Sequence, residues 1–252
     1  MIKCPSCFEP GPRQIAEPAP QVLDPGGFGP VPDGVVFPES SAQVRALLDW
    51  AGAQGVRVIP YGGGTSVVGH LSVPEGETPV LCLSLERLNG LLALEPEARL
   101  ARFGAGVAGP ALEAALKPHG FRLGHYPQSF EYSTLGGWVV TRSSGQQSLG
   151  YGRIEQLFAG GRLESPVGTL DIPTFPASGA GPDLREWVLG SEGRLGVLTE
   201  AVVRIAPEPE VETFHSFVFA DWEGAVHALR ALVQARIPLS MLRLSNAEET
   251  RV

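Results

Sequence analysis

Apolar positions along the first third of the chain switch between two periods. Val44, Leu47, Leu48 and Ala51 recur at helical spacing behind Ser40 and Gln43, which have the spacing of a capping box, and Gly55 is the stop. The run Val56-Arg57-Val58-Ile59 then reads as a strand, ended by Pro60 and Tyr61. Val35-Val36-Phe37 begins the ordered pattern, after 34 residues rich in glycine and proline that carry no periodicity. This is a compact β-α-β start.

The pattern continues with a strand over Val80–Leu85, packing residues at Leu88, Leu91 and Leu92, a hairpin turn over Leu94–Arg99 and a strand over Arg102–Val107. Gly109-Pro110 opens a helix carrying Leu112, Ala115 and Leu116, since proline at the first helical position loses no hydrogen bond. Pro118 and Gly120 end it. Residues 135–141 are apolar enough for either a helix or a buried strand. Between Ile154 and Leu170, Gly160-Gly161 and Pro166 predict short strands at best. Pro173–Pro182 reads as a surface excursion. Asp183 is placed to cap a short helix through Trp187 and Leu189, and a strand ends near Arg204-Ile205.

Pro207-Glu208-Pro209-Glu210 is the clearest boundary. Beyond it the pattern predicts a strand over Phe214–Ala220, then a helix capped by Asp221 and carrying Ala225, Val226, Leu229, Leu232 and Val233. A further strand starts at Leu242-Arg243-Leu244. These elements are too few for a core of their own. The segment is expected to pack on the preceding domain or to open a larger one.

Composition narrows the partners. The 252 residues are 43% apolar and 18% charged, with a net charge of -8. No basic field suits nucleic acid, and no apolar run reaches membrane-spanning length. The N-terminus lacks a signal-peptide core, so a cytoplasmic protein is expected. Cys4 and Cys7 have C-x-x-C spacing, but no second pair follows to complete a zinc set, and no metal is expected. Cys82 reads as a small buried hydrophobe.

Chemistry concentrates in three stretches. Gly62-Gly63-Gly64-Thr65-Ser66 follows the strand ending at Ile59, and its successive N–H groups can form a nest for a phosphate or pyrophosphate. The alternative is a tight connection. The glycines are consecutive, unlike the G-x-G-x-x-G dinucleotide fingerprint. Residues 124–152 are dense in Gly, Ser, Thr and Tyr, and Gly190–Thr199 is a second ligand-loop candidate; core-packed turns are the plain alternative.

Five stretches in order, DGVVFPESSAQVRALL, VIPYGGGTSVVG, RFGAGVAGPALEAAL, GHYPQSFEYSTLGGWVVTRSSGQQSLGYGRIE and GPDLREWVLGSEGRLGVLTEAVVRI, resemble the FAD-binding (PCMH-type) domain of the vanillyl-alcohol oxidase superfamily. That superfamily includes the glycolate oxidase FAD-linked subunit, D-lactate dehydrogenases and alkyldihydroxyacetonephosphate synthase, the last being most similar. The resemblance covers about residues 33–245. It implies an α+β fold of two subdomains clasping FAD, over residues 33–94 and 95–206, after an irregular arm at 1–32. Residues 207–252 would begin a substrate or cap domain.

The resemblance implies cofactor contacts from Pro60, Gly62, Gly63, Gly64, Thr65 and Ser66 in the first segment. In the second it implies Pro127, Gln128, Ser129, Thr134, Gly136 and Gly137, continuing to Ser143, Gly145 and Tyr151. In the third it implies Glu192, Gly193, Gly196 and Val197. Some relatives attach FAD through a histidine that is Thr65 here, so non-covalent FAD is expected. His70 stands where relatives often carry glycine, and Phe158–Arg162 is less apolar than the family strand.

The implied activity is oxidation of a small 2-hydroxy acid such as glycolate or D-lactate. Two alternatives stand beside it: the flavin domain of an alkyldihydroxyacetonephosphate synthase-like enzyme, which exchanges an acyl for an alkyl chain without net oxidation, and a non-catalytic FAD-binding subunit. Substrate would be met through a separate or C-terminal domain, with a homo-oligomer or partner subunit as further possibilities. No catalytic base is assigned. His125 and Tyr126 lie near a flavin loop, and Arg243 suits an anionic substrate, but each has an ordinary packing or pairing role as its alternative.

Overall fold

A computed structural model describes residues 30–177 and 179–250. Cys4, Cys7 and the expected arm up to residue 29 lie outside them. The first unit holds β1 (Gly34–Val36), α1 (Ser41–Gln54), β2 (Arg57–Tyr61) and β3 (Val80–Ser84). Its parallel sheet has the order β1-β3-β2. Ser40 caps α1 by accepting from the Gln43 N–H, and Gly55 ends it in the left-handed conformation. The reciprocal Gln43 contact goes to the Glu39 N–H, one residue before the cap. Strand β2 runs on through Pro60 and Tyr61, paired with Leu83 and Ser84. Proline is tolerated there because β2 is an edge strand. Cys82 is half-buried on β3 rather than fully buried, and burial pushes its thiol up to about 11.

The second unit begins with β4 (Leu91–Glu95) and β5 (Leu100–Gly104), then α2 (Gly109–Leu116) and β6 (Phe121–Arg122). Three helices follow: α3 (Leu135–Thr141), α4 (Ser148–Tyr151) and α5 (Ile154–Leu157). Then come β7 (Phe158–Ser165), β8 (Gly168–Ile172), α6 (Leu184–Val188), β9 (Val197–Arg204) and β10 (Ala206–Pro207). The main sheet is antiparallel, in the order β4-β5-β9-β7-β8. Because β4 pairs in this sheet, the break between sheets falls between Ser84 and Leu91 rather than at 94/95. Leu92 is exposed, so of the three leucines only Leu88 and Leu91 pack inward.

The broken strand expected over 154–170 is instead the eight-residue β7. Its glycines answer to close neighbours, not to a turn. A Cβ on Gly160 would lie 2.5 Å from the Ile172 carbonyl oxygen, and one on Gly161 would lie 2.3 Å from that of Glu200. The ladder shifts register between Phe158 and Gly160, as bulged strands do. Pro166 sits in the turn after the strand. The open choice over 135–141 resolves to helix, with Thr134 as its N-cap.

Two cores meet at α1. One fills the space between α1 and the parallel sheet with Val36, Val44, Leu47 and Leu83, and Val197 joins it from β9. The other lies under the main sheet around Phe103, Leu112, Leu135, Trp138, Phe158 and Val203. The polar edge of α1 is tied to the main sheet: Ser41 Oγ donates to Thr199 Oγ1 at 2.9 Å, and Arg45 donates to the Ser165 carbonyl oxygen. A Cβ on Gly106 would lie 1.7 Å from the Leu85 carbonyl oxygen, so the link between sheets passes at backbone distance.

The last segment carries α7 (Trp222–Gln234), capped by Asp221, and α8 (Ala247–Thr250). The strands expected at Phe214–Ala220 and Leu242–Leu244 are not strands: neither pairs with another strand among the described residues. The segment is moored by Arg122, which forks onto Glu208 at 3.0 and 2.8 Å and reaches Glu212 at 3.4 Å. Its side chain is only 12% exposed. Arg122→Ala is expected to loosen residues 208–221 and to cost about 2 kcal/mol, the scale of a charge-assisted bidentate contact. Limited proteolysis should cut there several-fold faster. An unchanged cleavage rate would contradict the mooring.

No helix among the described residues is long and apolar enough to cross a membrane, and they contain no His/Cys/Asp/Glu group arranged to hold a metal ion.

Candidate cofactor-binding site

The three ligand stretches, far apart in the chain, form the walls of one cleft of about 350 Å³. The end of β2 delivers Pro60 and the loop Gly62–Ser66 to the first wall. Pro127, Ser129, Thr134, Gly136 and Gly137, with Ser143, form the second. Glu192, Gly193 and Gly196 form the third. Leu85 and Leu198 give the cleft an apolar floor.

The glycine loop is pressed against the second wall. A Cβ on Gly63 would sit 1.9 Å from the Tyr132 carbonyl oxygen, and one on Gly62 would sit 2.4 Å from Thr134 Oγ1. Gly64 has φ +67 and lies over the Tyr61 phenol, a backbone region that favours glycine. None of the N–H groups from Gly62 to Ser66 donates to an acceptor among the described residues. Half-buried donors in succession are what an anion nest requires. The start of α3 offers no such donors. Leu135 and Gly136 donate to the carbonyls of Val107 and Ala105, and Gly137 to Thr134 Oγ1. Gly136 is there for packing, since a Cβ would lie 2.8 Å from that of Ala105.

In the third wall Glu192 and Gly193 both have positive φ, at 54 and 77. This turns the Glu192 side chain toward the first wall, where Oε2 lies 3.5 Å from His70 Nδ1. Gly196 lets the loop close onto β7: its Cβ would meet the Glu164 carbonyl oxygen at 2.4 Å.

Four expected residues lie outside the lining. Gln128 is exposed at the tip of a turn in which the Phe130 N–H returns to the Pro127 carbonyl oxygen. Gly145 packs on the backbone of Tyr126, a Cβ falling 2.6 Å from its nitrogen. Tyr151 covers Gly124, and its hydroxyl accepts from Arg122 at 3.3 Å. Val197 turns its side chain into the core beside α1. The cleft also takes in Ser133, Trp138, Val140 and His70, which the sequence reading did not assign to it. Ser133 orders the second wall: its hydroxyl accepts from Trp138 Nε1 at 2.7 Å and donates to the Ser129 carbonyl oxygen at 2.8 Å.

His125 and Tyr126 stand behind this wall. His125 is fully buried, edge-on to Trp138 at 5.0 Å, with Nε2 2.8 Å from Ser143 Oγ. Burial, and secondarily the Arg153 charge, bring its pKa down to about 4, so it is a neutral support for Ser143. Tyr126 packs on Phe130 at 5.0 Å, and burial, with Glu113 next, pushes its hydroxyl up to about 12. Glu113 is itself raised by burial while accepting from the Leu123 and Gly124 N–H groups. Arg243 is exposed and lies 4.0 Å from Glu249.

Two α+β units thus bring three loops to one cleft, with the unpaired donors of Gly62–Ser66 on its first wall. The free loop donors fit the diphosphate of FAD. The sequence pattern of the FAD-binding domain family matches residues 32–171, and the chain belongs to that family, in its PCMH-type form. FAD is its cofactor.

Among relatives, alkyldihydroxyacetonephosphate synthase of Dictyostelium discoideum is 38% identical over 221 residues, 88% of this chain and 36% of that protein. A glycolate oxidase subunit of Bacillus subtilis is 28% identical over 82% of this chain and 44% of its own length. A solved alkyldihydroxyacetonephosphate synthase structure superposes with a TM-score of 0.82 at 36% identity, covering 86% of this chain and 40% of that one. The chain thus spans a little over a third of the synthases it matches.

Proposed function

We propose that the chain is the FAD-binding portion of an alkyldihydroxyacetonephosphate synthase-type enzyme. Membership of the FAD-binding domain family supports a place among flavin-dependent oxidoreductases and related synthases. The 2-hydroxy-acid reading, set first on sequence grounds, has weaker support. The observation that carries the preference is the 38% identity to a synthase across 88% of the chain, against 28% to a glycolate oxidase subunit.

In this reading the N–H groups of Gly62–Ser66 hold the diphosphate of FAD. Thr134, Ser143 and the Gly193–Gly196 loop line the rest of the cofactor's path. Bound FAD supplies the electron-accepting ring on which the substrate chemistry depends. Ser129, Ser133 and Trp138 fix the shape of the second wall, and His125 holds the Ser143 hydroxyl without contributing charge. Thr65 lacks a ring nitrogen for covalent attachment, so acid precipitation is expected to release all the FAD into the supernatant. Residues 207–252 are the entry to a substrate-binding domain. The support is their exposed Phe214, Phe217 and Val218, apolar side chains awaiting a partner surface.

The test is to give the native protein an acyl-dihydroxyacetone phosphate with a long-chain alcohol, and separately glycolate or D-lactate with a dye acceptor. Formation of the alkyl ether product without dye reduction is expected. Dye reduction by a hydroxy acid, with no ether product, would restore the oxidase reading.

A further inference from the structure

The cleft meant for a doubly charged diphosphate contains no lysine or arginine among its lining residues. Its one side chain able to carry positive charge is His70, and its one carboxylate is Glu192, on the opposite wall. The His70 side chain is 22% exposed, and its Nδ1 is buried with no hydrogen-bond partner among the described residues. The 3.5 Å to Glu192 Oε2 is an ion-pair distance without hydrogen-bond geometry.

Glu192 itself is held in the left-handed region, where a non-glycine residue is uncommon. The loop thus keeps a carboxylate at an anion site, which opposes the ligand unless a positive charge answers it. The other titratable group of the lining is Tyr61, whose phenol is pushed up by burial, then by Cys82 and Glu86, and stays neutral. The loop carrying His70 adds no charged residue between Tyr61 and Glu75, and Arg194 is exposed outside the lining.

We infer that His70 is a further cofactor-contact residue: FAD binding draws a proton onto its imidazole, which then balances Glu192 and donates to the diphosphate. The inference rests on FAD binding and is independent of the substrate. Imidazole is the side chain suited to this coupling, because its charge changes within the physiological pH range. Linkage gives the sign. A ligand that prefers the protonated form binds more tightly as pH falls, and binding takes up protons.

The experiment is titration calorimetry of the full chain with FAD, in buffers of different ionisation enthalpy, at pH 6, 7 and 8. Net proton uptake is expected, with affinity falling about tenfold from pH 6 to pH 8. His70→Gln, with unchanged circular dichroism, should abolish both the uptake and the pH dependence. His70→Lys should keep tight binding with little pH dependence, and Glu192→Gln should tighten binding at pH 8. ADP as a competitor should reproduce the His70 effect and adenosine should not, which assigns it to the diphosphate. Wild-type proton uptake in His70→Gln would overturn the inference while leaving FAD binding intact. No FAD binding by the unmodified chain would overturn both.

Discussion

Gly63→Ala should lower FAD affinity by about a hundredfold or more while leaving the secondary structure in place. The added methyl would start 1.9 Å from the Tyr132 carbonyl oxygen and 2.9 Å from Ser133 Cα. Backbone cannot swing aside as a flexible side chain can, so the first two walls must separate. Overpacking of this kind costs roughly 1–3 kcal/mol, and occasionally more. Separating the walls also turns the Gly62–Ser66 donors away from a common centre. Gly63→Asp adds a negative charge and should abolish binding outright. Equilibrium dialysis with FAD, alongside far-ultraviolet circular dichroism, is the measurement. Wild-type affinity in Gly63→Ala would show that the loop does not hold the cofactor.

Stability should fall on the order of 3 kcal/mol as pH drops from 7 to 4 through His125 alone. A histidine in the unfolded chain takes its proton near 6.5, whereas the buried ring takes it only near 4. Between these values the unfolded state binds more protons, so acid favours unfolding, while above about 6.5 both forms are neutral and the effect ends. The cause is desolvation first and Arg153 second. Denaturant melts at pH 7, 5.5 and 4.5 on wild type and His125→Gln isolate this term. The variant should show a shallower loss, whatever its stability at pH 7. Identical slopes would mean that the imidazole titrates freely in the fold.

The sequence was readable where the determinant was local. The Ser40 cap, the Gly55 stop, the Pro110 helix start and the Asp183 and Asp221 caps are each decided within four residues. The Gly62–Gly64 turn was legible too, because a run of consecutive glycines is a local feature; that it shares one cleft with the two later stretches is seen only in the fold. Elements decided by distant neighbours were not readable. Gly160 and Gly161 look like breakers, yet they admit two adjoining strands at close quarters. Phe214–Ala220 has strand-like side chains but no ladder to join among the described residues. Gln128, Gly145 and Tyr151 are next to cleft residues in sequence, but the turns between them point elsewhere. His70 drew notice only as a departure from glycine; its meaning depends on Glu192, more than a hundred residues away.

Strand β9 lies between β5 and β7, so it is the keystone of the main sheet although it comes after both. During synthesis the β4–β5 and β7–β8 hairpins can form as they leave the ribosome, each with an open edge. They cannot be joined until residues 197–204 arrive, and late pairing between distant segments is slow. The Glu192–Gly196 wall immediately precedes that strand and is positioned by it. The third wall of the cleft is therefore completed only once residues 197–204 have paired, and until then the two hairpins present open edges that can pair with a wrong neighbour.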